Sequence, residues 1–120
     1  MIAKRSLPIT LFALGLMLAM PRIALAHAHL LTSTPAANAT VPGPAVAIEL
    51  RYNSRVDGVH SSIVLVGPDH QTETLTLDHQ SAATNLNAHA RLRPGHYILR
   101  WQALSTDGHL TRGEIPFTVH

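Results

Sequence analysis

The sequence contains no cysteine. That excludes a disulfide staple, a thiolate metal centre and a thiol nucleophile. Methionine is confined to Met1, Met17 and Met20, so beyond residue 20 there is no sulfur ligand of any kind. A thioether-type Cu(I) site is excluded with it. Lysine occurs once, as Lys4, and aromatics make up 4% of the chain. No apolar run reaches the roughly 20 residues that a bilayer-spanning helix needs; "LPITLFALGLMLAM" has 14.

That run is the centre of an expected export signal over residues 1–26. Lys4 and Arg5 form its positive start, and "PRIALA" ends in small residues at Ala24 and Ala26, an A-x-A cleavage pattern. Arg22 is an unusual residue for this region. Cleavage after Ala26 leaves residues 27–120, one small domain of 94 residues. "AHA" allows the same pattern to be cut after Ala28, and either cut makes a histidine the first residue. The mature protein is expected to be periplasmic, monomeric and not inserted in a membrane. With Lys4, Arg5 and Arg22 removed, six Arg face seven Asp and Glu, a formal charge of −1. A basic nucleic-acid footprint is absent.

What is present is histidine. All nine lie beyond residue 26. Imidazole without sulfur favours borderline ions such as Cu(II), Zn(II) or Ni(II).

The remaining chain reads as short strands between turn signals, with no helical periodicity. "VAIELRYN" alternates Val46, Ile48, Leu50 and Tyr52 against polar residues, the pattern of a half-buried strand. "SSIVLVGPDH" is a strand closing in a turn, and "TETLTLD" and "NLNAHARL" alternate again. "RPGHYILRWQAL" places Tyr97, Leu99, Trp101 and Ala103 inward, and "GEIPFTV" does so for Ile115, Phe117 and Val119. Pro116 suggests an edge position or a bulge there. "PAANATVPGPA" reads as turn. About seven strands in this length predict an all-β, two-sheet Greek-key sandwich.

Two places carry candidate metal chemistry. An N-terminal His27 offers its α-amine and a ring nitrogen, which can close a chelate ring on one metal; the competing reading is a frayed terminus. In "STDGHLTRG", Asp107 and His109 are two residues apart, and extended backbone would point them to one side. Asp-Gly is also an ordinary turn dipeptide. Together the two places supply amine, two imidazoles and a carboxylate, a set that suits tetragonal Cu(II). His29, two residues from His27 on an expected common strand, is the possible auxiliary ligand. His60, His70, His79 and His96 are expected in solvated turns, His89 outward on a strand, and His120 at a frayed end. Tyr97 and Trp101 are expected in the core, with a place beside the metal open to Trp101.

The start "HAHLLTSTPAANATV", then "VAIELRYN", then "LRPGHYILRWQALSTDGHLTRGEIPFTV" resemble the CopC family of periplasmic copper-resistance proteins, including its YobA-type members. The resemblance implies an immunoglobulin-like β-sandwich that holds one Cu(II) through a histidine brace. His27 would give amine and imidazole, with Asp107 and His109 the loop ligands. It also implies delivery to a CopD-like inner-membrane copper transporter. The chain departs from the family in three ways. It lacks the Met-rich Cu(I) loop of some relatives. It has Ser54 and Arg55 where some have a Glu near the copper. It has Leu110 where Pro often follows the loop histidine. A copper carrier, not an enzyme, is the expected function. The alternatives are a brace-type oxidative copper enzyme, which a carboxylate ligand disfavours, and a metal-free adhesion-like sandwich.

Overall fold

The computed structural model describes residues 27–120; the expected export signal lies outside the described residues. Eight strands follow one another: β1 (Leu30–Thr34), β2 (Ala39–Val41), β3 (Ala45–Tyr52), β4 (Ser62–Val66), β5 (Thr72–Thr74), β6 (Asn85–Arg91), β7 (Gly95–Leu104) and β8 (Leu110–Val119). They form two sheets, β1-β3-β6 and β2-β8-β7-β4-β5. The described residues contain no α-helix, and no helix among them is long and apolar enough to cross a membrane. The fold is the expected all-β, immunoglobulin-like sandwich.

Alternation builds the core. Val46, Ile48, Leu50 and Tyr52 of β3 face Leu99, Trp101 and Ala103 of β7 and Ile115, Phe117 and Val119 of β8, all buried. Period-2 side-chain geometry makes such strands legible, because one face is wholly apolar. Tyr97 stacks on Phe117 at 5.6 Å between centroids, and Tyr52 meets Trp101 edge-on at 5.3 Å.

Several expectations are corrected. There are eight strands rather than seven, because Ala39–Val41 of the proline-rich segment pairs in parallel with Phe117–Val119. β2 covers β8 only at Phe117–Val119, so Pro116 keeps an edge-like position on the outer side, and it is not bulged: it pairs in register with Ile98. The Pro116 carbonyl accepts from the Asn38 N–H at 2.6 Å, so its nitrogen also faces the β2 side, where that short strand is only beginning, and no β7 bond is lost. β5 stops at Thr74 because the chain then leaves one sheet for the other. Leu75 buries itself in the core, and Leu77 bridges to Ala88 of β6. His96 is in β7, exposed, with Nδ1 2.9 Å from Thr118 Oγ1. His120 is not frayed, since its N–H donates to Val41 and its carbonyl accepts from Gly43.

Gly113 has a packing reason. A Cβ there would stand 2.5–2.7 Å from the Trp101 indole atoms Cζ2, Cε2 and Nε1. Gly113→Ala should destabilise the fold by about 1–3 kcal/mol through overpacking, lowering Tm by at least about 4 °C. An unchanged thermal melt would show that Trp101 can move aside freely.

Candidate metal site

β7 and β8 are joined by Ser105–His109, and this connection is a tight turn. The Ser105 N–H donates to His109 O and the Gly108 N–H to Ser105 O, each at 2.9 Å. Gly108 has φ +88°, a conformation glycine tolerates best. Asp107 and His109 thus reach the same side by a turn, not by the extended alternation expected. The turn-dipeptide reading describes this loop, and Asp107 and His109 lie together on one side of it.

The turn sets the carboxylate. Asp107 accepts from the Ser105 hydroxyl in a short bond and from the His109 N–H at 3.2 Å, and its Oδ2 lies 3.2 Å from His109 Nδ1. The Ser105 hydroxyl is the main cause holding the Asp107 carboxyl down at about 2, with the His109 backbone N–H and ring adding to it. Asp107 thus lies against the Nδ1 edge of the His109 ring. His109 is half exposed, at 48%.

The chain before β1 is pinned beside this turn. Ala28 is wholly buried in the core, and its carbonyl accepts from Thr111 Oγ1 at 2.8 Å. The His29 N–H donates to Asn53 Oδ1 at 2.8 Å, and the Asn53 N–H donates back to His29 O at 2.9 Å. His27 to His29 therefore precede β1 rather than belonging to a strand, yet they are not frayed. The Ser54 hydroxyl lies 3.5 Å from His27 O, so Ser54 adjoins the site.

As a result the His27 and His109 rings meet edge to face, 4.6 Å between centroids. The exposed His29 ring stands 6.2 Å from that of His27. Folding thus gathers His27, Asp107 and His109 at one end of the sandwich, with His29 alongside. Of the remaining histidines, His60 and His89 pair with Asp57 and Asp78 at 2.8 and 2.5 Å, both exposed. Sequence reasoning gave no role to Ser105, Asn53 or Thr111, whose hydrogen bonds set the position of the candidate ligands. Ser105 and Thr111 stood inside "STDGHLTRG" and Asn53 closed "VAIELRYN", but no local pattern marked any of them as a support.

Among the described residues no three His, Asp or Glu side chains already converge on one point as a metal cage. In the full sequence the His27 nitrogen is the amide of the Ala26–His27 bond, so one donor of the expected set exists only once that bond is cut. The remaining donors, two neighbouring imidazoles and a carboxylate, suit a tetragonal divalent ion in type, and a shared ion would have to draw them onto one point.

Comparison with known proteins gives the family of this chain. The CopC domain family matches residues 30–120. The chain belongs to the CopC family. The matched range begins just after His27–His29, so the family match covers the Asp107–His109 turn and not the first histidines. The chain is similar to protein YobA of Escherichia coli (strain K12), 34% identical over 98 residues covering 78% of this chain and 79% of YobA. Among solved structures it resembles CopC from Methylosinus trichosporium OB3b, with TM-score 0.69, 27% identity, and 78% of this chain and 93% of that chain covered. It also resembles PcoC, a methionine-rich copper resistance protein from Escherichia coli, with TM-score 0.65, 25% identity, and 79% and 100% covered. This CopC-family chain has no methionine beyond Met20.

Proposed function

We propose that this CopC-family chain is a periplasmic copper carrier or buffer. Exported and cut after Ala26, it binds one Cu(II) through the His27 amine and ring, the His109 ring and the Asp107 carboxylate. The observation that carries this is the contact of the His27 and His109 rings at 4.6 Å with Asp107 held against His109. The same geometry favours Ala26 over Ala28 as the cleavage point. A cut after Ala28 would remove a residue that fills the core and is bonded to Thr111.

Carriage rather than catalysis fits the site. Its donor set is saturated by one ion, a carboxylate ligand favours retaining Cu(II), and it lies at an open end of the sandwich from which an ion can be exchanged. A groove of about 520 Å³, lined by Val66, His70, His96, Tyr97 and Phe117, is at the opposite end. The receiving partner in this reading is a CopD-like inner-membrane transporter.

Titration of the cleaved chain with Cu(II), followed by electron paramagnetic resonance, tests the binding. One equivalent should give a signal with three nitrogens and one oxygen. His109→Ala should lower the affinity by about tenfold to a hundredfold or more, and the loaded protein should neither consume reductant nor form peroxide. A signal unaffected by His109→Ala would refute the site.

A further inference from the structure

Residues 27–29 read His-Ala-His. A chain that begins with these three residues offers copper two donor sets that exclude each other. One is the brace described above. The other uses the tripeptide alone: the terminal amine, the backbone nitrogens of Ala28 and His29, and the His29 ring, four nitrogens in a square plane of the kind that suits Cu(II) or Ni(II). Forming it requires the backbone to curl around the ion. Copper then replaces the two amide protons, which pass to solvent, and no electron is transferred.

The fold blocks that curl at each point where it would have to begin. The His29 nitrogen is committed through its proton to Asn53 Oδ1 at 2.8 Å, and its carbonyl is held by the Asn53 N–H at 2.9 Å. The Ala28 carbonyl is held by Thr111 Oγ1 at 2.8 Å, and Ala28 has no exposed surface. Turning the Ala28 amide toward an ion beside His27 would pull the residue out of the core. Meanwhile the His27 ring is left free to meet His109.

We propose that Asn53 and Thr111 are positioning residues that decide which copper site the start of the mature chain forms. They pin Ala28 and His29 so that the four-nitrogen chelate cannot assemble, and the ion is directed to His27, Asp107 and His109. The consequence is functional. The tripeptide chelate would sequester copper without the turn, whereas the brace keeps the ion at a site shared between two segments, from which it can leave when either yields. This inference rests on the brace reading and on cleavage after Ala26.

The test is the Cu(II) spectrum of the cleaved chain carrying Asn53→Ala together with Thr111→Val, with folding checked by the near-ultraviolet dichroism of the buried Trp101. The folded double variant should shift its visible band to shorter wavelength and change its paramagnetic signature from three nitrogens to four. Adding His29→Ala in that background should abolish the four-nitrogen signature. A second measurement needs no folded variant: the wild-type cleaved chain, unfolded in urea with one equivalent of copper, should show the same shift, and His29→Ala should remove it. A folded double variant that keeps the wild-type signature overturns the proposal and leaves the brace intact. An unfolded chain without the four-nitrogen signature also overturns it, because the competing site would not exist. If the folded wild-type chain already shows four nitrogens, the brace reading falls and the proposal falls with it.

Discussion

A chain that begins at His27 will bind one Cu(II) at least about a hundredfold more tightly than the same chain carrying one extra residue before it, a difference of about 3 kcal/mol. The extra residue leaves every side chain in place. His27 is still anchored by its neighbours, its ring still meets His109 at 4.6 Å, and Asp107 still lies on His109. What changes is one atom: the nitrogen of His27 becomes an amide, which can bind copper only by giving up its proton, so the chelate ring with its own imidazole closes far less readily than with a free amine. Competition titration on the two preparations measures the difference. Equal affinities would show that the amine is not a ligand and would reduce the site to a His-His-Asp cluster.

Copper affinity will also fall steeply on acidification, and Asp107 will not be the cause. A metal must displace the protons its ligands carry; α-amines as a class hold theirs up to about pH 8 and imidazoles up to about 6.5. One amine and two imidazoles all compete with protons for the same ion, so affinity should fall progressively as pH drops. The Asp107 carboxyl, held near 2 chiefly by Ser105, stays ionised across this range. Asp107→Asn should therefore weaken binding at every pH while leaving the slope between pH 8 and pH 5 unchanged. A flattened slope in that variant would sink the assignment. The contribution of Asp107 to folding runs in a different window. Because its folded value is depressed, that contribution is present above about pH 4 and is lost as pH falls toward about 2.

Much of the fold was legible because half-buried strands write their geometry as period-2 alternation. β3 and β7 are the clearest cases, each presenting an unbroken apolar face to the core. β2 was not legible. Three residues among prolines become a strand only because β8 offers them a partner, a fact of the other end of the chain. The second half of "TETLTLD" alternates as a strand would, but there the chain crosses between sheets, and alternation cannot say which partner each leucine meets.

The sequence by itself determined the candidate donor types at this site. Excluding sulfur left imidazole, amine and carboxylate, and spacing within one short loop marked Asp107 and His109. It also determined that a sandwich would form, since burial of alternating faces is a local property of each strand. Only the tertiary structure decided that His27 meets His109, that Ser105 rather than the histidine chiefly sets the Asp107 carboxylate, and that Asn53 and Thr111 hold the chain start in place. These are contacts between segments far apart in sequence. Their geometry depends on how the strands carrying them pair and pack, and no local pattern of residues encodes that.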